Sequence, residues 1–206
     1  MNDTATALAL ALGGAWTCGI NLYATIAVLG LADAMGAIVL PPELQVLAHP
    51  AIITLAIVLY LVEFLADKIP LVDSAWDAVH TFIRVPAGAL LAAAALGPTS
   101  PTLKLAAYLL GGSVALSAHG AKASVRVALN TSPEPFSNWA ASLGEDVLVL
   151  TGLWLVFHHP WAMVTFVVVF VAGVAYLAPR IWRALRAMFR GAARWLSGSP
   201  PQAVSP

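Results

Sequence analysis

The sequence predicts an all-α polytopic membrane protein with about six transmembrane helices, a 3+3 inverted repeat as one organising scheme, and a basic amphipathic helix near the carboxyl end. Two observations carry this fold class. Of 206 residues, 60% are hydrophobic and 10% charged, with a mean hydropathy of +0.86, outside the usual composition of water-soluble domains. The apolar residues also fall in runs near the length of about 20 that crosses roughly 30 Å of hydrocarbon, with turn residues between them.

The first span is read over 5–31, and no Lys or Arg precedes its apolar run, so it is expected to be a retained helix rather than a signal peptide. A short second span over 51–66 ends sharply at Asp67 and Lys68. The third, 74–96, opens with charged residues and continues into VPAGALLAAAALG; the fourth, fifth and sixth cover 102–127, 138–157 and 161–177. Proline-bearing segments LPPELQVLAHP, GPTSP, NTSPEPF and HHP separate the spans. The organisation expected is a transmembrane domain over 1–179, a cytoplasmic amphipathic helix over 180–196 and a disordered tail over 197–206.

Basic residues set the orientation. Arg180, Arg183, Arg186, Arg190 and Arg194 follow the sixth span, and such clusters stay on the cytoplasmic side. Six crossings then place both termini in the cytoplasm, together with Lys68, Lys122 and Arg126, and leave Lys104 as the exception. The arginines alternate with Ile181, Trp182, Leu185, Met188 and Phe189, which predicts a helix lying on anionic lipid headgroups. Gly13, Gly14, Ala15 and Asn21 align with Gly111, Gly112, Ser113 and His119, and AHP echoes HHP. Two halves of three spans would be inverted relative to each other, as in many transporters.

Ten basic and ten acidic residues cancel, which argues against a nucleic-acid partner. A single cysteine, Cys18, excludes an internal disulfide and a multi-thiolate metal site. Polar residues inside the spans are costly and therefore informative. Asp73, Asp77, His80 and Arg84 recur at helical spacing in the third span; Asn138, Ser142, Glu145 and Asp146 do so in the fifth. Thr17, Asn21 and Thr25 form a stripe in the first span, as do His119, Lys122 and Arg126 in the fourth, while Glu63 and Asp67 lie one turn apart at the end of the second. Residues three and four apart share a helical face, so the stripes are expected to meet in one interior. Acid–base pairing is one use of them: Asp77 with His80 or Arg84, and Glu145 or Asp146 with Lys122 or Arg126. Lining a path for a solute is the other.

The remaining polar residues read more plainly. His49, His158 and His159 adjoin prolines at helix ends and are expected in interfacial turns rather than around zinc, so no metal or other cofactor is expected. The tryptophans suit interfacial belts, and the glycine pairs suit close helix packing. The cytoplasmic segment VRVALNTSPEPFSNW carries Asn130, Ser132 and Glu134 in turn chemistry. Hydrolase, zinc-peptidase and phosphate-loop motifs are absent from the sequence, and no catalytic residue is assigned.

The segments GINLYATIAVLGL, VEFLADKIPLVDSAWDAVHTFIRVPAGAL and NTSPEPFSNWAASLGEDVLVL together resemble the bacterial membrane proteins grouped as domain of unknown function family 4126. That resemblance implies a small multi-span protein of the bacterial inner (plasma) membrane, with motif positions Asn21, Glu63, Asp67, Lys68, Asp73, Trp76, Asp77, His80, Arg84, Asn130, Pro133, Glu134, Pro135, Asn138, Glu145 and Asp146. The residues point first to a transporter or channel for a small ion or polar solute. Glu63, Asp67, Asp77, Glu145 and Asp146 would bind a cation or proton; His80, Arg84, His119, Lys122 and Arg126 would gate the path or compensate charge. A membrane scaffold with structural charge pairs and a lipid- or partner-binding basic end is the alternative, and a lipid-acting intramembrane enzyme built on Asp77, His80 and Glu145 a third. Homo-oligomerisation is left open.

Overall fold

The structure, a computed structural model, describes residues 4–69, 72–130 and 135–196. Every regular element among them is helical: α1 (Thr4–Ile20), α2 (Leu22–Ala34), a short 3-10 helix (Pro42–Ala48), α3 (Pro50–Ala66), α4 (Val72–Ala95), α5 (Pro101–Leu129), α6 (Pro135–His158) and α7 (Pro160–Leu196). The chain divides into two compact units, Met1–Val168 and Val169–Pro206.

Prolines start the helices because the missing N–H falls where a helix has no partner for it. Pro50, Pro101 and Pro160 occupy such first positions. His49 accepts from the Ala51 amide at 3.2 Å, and Ser100 Oγ from the Leu103 amide at 3.3 Å. Between α4 and α5, Gly97 at φ +63° makes the turn, a conformation that side chains resist.

Helices α4, α6 and α7 are long and apolar enough to cross a membrane, and a fourth span exists if the 3-10 helix and α3, which meet at 66°, count together. The expected first span is broken. Asn21 adopts φ −146°, ψ 101° and caps α2, its side chain accepting from the Ala24 amide at 3.0 Å. α1 and α2 are therefore two short apolar helices. At the other end of the chain α7 continues through Pro179 to Leu196 without a break, where the sequence suggested a separate element.

In the first unit α1 is almost wholly buried, packed by α4, α5 and α6. The backbones approach closely at glycine. A Cβ on Gly88 would stand 2.6 Å from Ala115 Cβ, and one on Gly111 would overlap Ala92 Cβ and lie 2.9 Å from Gly88 O. Trp16 packs edge-on against Phe166 at 4.9 Å. The outer surface is apolar, with Leu55, Leu61, Leu65, Phe82, Leu90, Leu105, Leu109 and Leu150 exposed, while Glu63, Asp73, Arg84 and Arg126 are fully buried. A water-soluble domain arranges these groups the other way round, whereas lipid as solvent favours this one.

Candidate functional site

The buried charges come from the second half of α3, the first half of α4, the second half of α5 and the first half of α6. Those four segments lie at one end of the first unit. Helical spacing on each brings its acids and bases onto one face, and the four faces meet.

Lys122 stands at the junction. Its Nζ lies 3.3 Å from Glu63 Oε1, 3.2 Å from Asp67 Oδ2, 3.2 Å from Glu145 Oε2 and 3.7 Å from Asp77 Oδ1. An ammonium has three N–H bonds for these four carboxylates. Arg84 donates to Glu63 Oε1 at 2.6 Å and to Asp77 Oδ1 at 3.0 Å. Arg126 grips Glu145 through Nε and Nη2 at 2.9 and 2.8 Å, reaches Asp67 Oδ2 at 3.2 Å, and ties the main-chain oxygens of Asp67 and Asn138 at 2.9 and 3.2 Å. Four carboxylates thus share three cations, a formal charge of −1. One oxygen each of Glu63, Asp67 and Asp77 meets no hydrogen-bond donor among the described residues.

The two interior histidines have fixed roles. Arg84 can only donate, so His119 Nδ1, 2.9 Å from Nη1, must accept; Nε2 then carries the proton and donates to Asp77 O at 3.0 Å and Thr81 Oγ1 at 2.8 Å. His119 is neutral there. His80 Nδ1 donates to Trp76 O at 2.8 Å, leaving Nε2 to accept from the Tyr23 hydroxyl at 3.0 Å, while Trp76 stacks on the ring at 4.3 Å.

Residues 8–180 match the family described as Domain of unknown function (DUF4126). The chain belongs to that family. No curated protein and no solved structure matches it. The DUF4126 match contains every residue of the charged network.

Of the pairs expected from sequence, Asp77–Arg84, Glu145–Lys122 and Glu145–Arg126 form in this DUF4126 protein. No hydrogen bond joins Asp77 to His80, and Asp146 makes no ion pair, among the described residues. Asp146 instead accepts from Tyr60 Oη at 2.8 Å and faces Asn21 Nδ2 at 3.5 Å. Asp73 accepts from Asn130 Nδ2 at 2.9 Å, and Asn138 Nδ2 donates to Asn130 Oδ1 at 2.9 Å. Asn130 thereby ties together the ends of α4, α5 and α6. Lys68 donates to Phe64 O at 3.0 Å and covers the Phe64 ring. Arg180, Arg183 and Arg186 are exposed; Arg180 donates to Tyr176 O at 2.6 Å and Arg183 to Pro179 O at 3.2 Å. Ser132, Glu134 and the side chains of Arg190 and Arg194 lie outside the described residues.

Tyr23, Tyr60 and Thr81 were not singled out by sequence reasoning. Their hydroxyls give no periodic signal, although a phenol within an apolar run needs a partner for its polar tip, and that is the cue they carried.

Proposed function

We propose that this DUF4126 protein is a membrane transporter or channel for a small cation or proton. Six crossings, the first made by α1 and α2 together, would place both termini in the cytoplasm of a bacterial inner membrane. The observation that supports this reading is the mismatch, within the buried ion-paired network, of four carboxylates with the three cations they share. Unpaired charge in a low-dielectric interior is expensive, and a network that only held helices together would be expected to balance. A proton or cation that comes and goes supplies the missing charge. The helix break at Asn21, beside Asp146, adds a discontinuous helix of the kind that borders transport sites. The inward polar face of α5, with His119, Lys122 and Arg126 buried, supports counting α5 as a crossing despite its charges. The 3+3 inverted arrangement stays part of this proposal, and so does the basic stretch 180–196 as a lipid-binding segment.

Flux into sealed liposomes tests the reading, with protons, monovalent and divalent cations, and anions screened in turn. Cation or proton flux is expected in the wild type and should fall to the level of protein-free liposomes in Asp77→Asn and in Glu145→Gln, both still monodisperse in detergent. A folded protein silent across the whole screen would defeat it.

The scaffold reading has one observation in its favour: Arg84, Lys122 and Arg126 are each paired. It predicts that Asp77→Asn is tolerated in cells while removal of residues 180–196 is not.

A further inference from the structure

The excess negative charge raises the question of which group takes up the compensating proton. The four carboxylates are not equivalent. Glu145 receives two charged hydrogen bonds from Arg126, at 2.9 and 2.8 Å, and faces the Lys122 ammonium as an ion pair at 3.2 Å. Asp67 receives two at 3.2 Å, and Glu63 two at 2.6 and 3.3 Å. Asp77 receives one, from Arg84 at 3.0 Å; Lys122 stands off at 3.7 Å, beyond hydrogen-bond reach. Its second oxygen, Oδ2, has no donor among the described residues although the residue is only 2% exposed.

Asp77 also borders a cleft. Between α4 and α5 a cavity of about 130 Å³ is lined by Asp77, Ser74, Thr81, His119, Ala123 and Val127 among others. That is room for a few waters at about 30 Å³ each, and Ser74, Thr81 and Asp77 give them polar partners. Asp77 is the sixth residue of α4 and Val127 the third from the end of α5, so the cleft lies near the end of the bundle, where water can enter. Glu63, Asp67 and Glu145 do not line it.

We infer that Asp77 is the exchangeable proton-binding residue of the network, protonated on Oδ2 from water that enters through the α4–α5 cleft. In the binding step an O–H bond forms at Oδ2 and one O–H bond of a hydronium ion breaks; release is the reverse. The groups around Asp77 fit both states. Arg84 on its own helix keeps its bond to Oδ1, neutral His119 on α5 holds the Asp77 carbonyl, and Glu63 on α3 and Lys122 on α5 remain paired with Arg84 and with Asp67 and Glu145. The inference names the proton-carrying group for the proposed transport, yet its test reads protonation in a folded, non-transporting sample, so it fails independently of flux.

Infrared spectroscopy of the full-length protein in detergent at neutral pH provides that test, through the carbonyl stretch of a protonated carboxyl group. The band should be present, should shift on labelling with heavy-carbon aspartate but not glutamate, should vanish in Asp77→Asn, and should persist in Asp73→Asn and Asp146→Asn. Filling the cleft with Ala123→Phe should slow its hydrogen–deuterium shift severalfold. Absence of the band, or a band that follows glutamate or survives Asp77→Asn, would overturn the assignment; exchange unchanged by Ala123→Phe would overturn the route. If Asp77→Asn does not fold, the isotope labelling in wild-type protein still decides whether the acid is an aspartate, and a band that persists in Asp67→Asn, Asp73→Asn and Asp146→Asn excludes the other aspartates of the interior, whereas its loss in Asp67→Asn would overturn the assignment.

Discussion

Lys122 and Lys104 lie on the same helix and show how burial sets the worth of an ion pair. Lys122 is completely buried among carboxylates, whereas Lys104 pairs with Glu43 at 3.1 Å with 38% of its side chain exposed. Removing one partner of a buried pair leaves the others uncompensated at about 3–5 kcal/mol; an exposed pair contributes about 0–1 kcal/mol. Lys122→Met should therefore lose most of its resistance to unfolding in mixed micelles, and Lys104→Met almost none of it. Equal losses would mean that the network is solvated. The Glu43 carboxyl, on the short 3-10 helix, is held below the usual range first by its own backbone N–H and then by Lys104. Since a depressed carboxylate stabilises above its unfolded value and loses that contribution as pH falls through the folded one, this pair weakens only in acid. The stripes that contain these residues were legible in the sequence because period alone puts Asp77 and Arg84 on one face. Their partners were less so, since Tyr60 with Asp146 and Tyr23 with His80 meet only through tertiary packing.

At the scale of elements, proline and serine at helix starts and glycine at a helix end were readable directly, because each answers a local backbone need. The break at Asn21 was not, since hydropathy runs unbroken through GINLYATIAVLGL. Gly19 two residues before an asparagine was the available signal, a weak helix position followed by a strong cap. Asn21→Ala should cost about 1 kcal/mol through the lost bond to the Ala24 amide, with Asn21→Ser recovering most of it; no loss in micellar unfolding would show that the break is held by packing instead. The seam of α1, α4 and α5 has the opposite origin, in side chains that are absent. Gly111→Ala should destabilise by about 1–3 kcal/mol, since its Cβ has no room against Ala92 and Gly88. Gly120→Ala, which meets nothing within 4 Å, should be neutral or stabilising by up to about 1 kcal/mol. The contrast separates helix propensity from packing, because both changes add the same methyl group to the same helix.

For the whole molecule, the sequence suggested polar stripes running as a path between spans one, three, four and five, and the structure gathers them into one half of the first unit. The other half of that unit is the small-residue seam, with Ala89, Ala92 and Ala95 of α4 buried. Spacing within a helix reveals which residues share a face but not how far along a neighbour that face extends, so the concentration at one end was visible only after packing. The proposed pathway, with its polar groups at one end and the seam at the other, would require the seam to part, and it would also require α5 to cross the bilayer with its charged half toward the cytoplasm. Helix α5 has 29 residues, about 44 Å at 1.5 Å per residue, enough to put its ends on opposite sides. With Cys18 fully buried, single cysteines can report each end separately. Val127→Cys should react with a membrane-impermeant maleimide only in inside-out vesicles, and Lys104→Cys only in right-side-out ones. Reaction of both from one side would make α5 a re-entrant or surface element, reduce the proposed six crossings to five and with that remove the common side of the two termini, and leave the positively charged end of the chain without the cytoplasmic placement on which its proposed lipid-binding role depends.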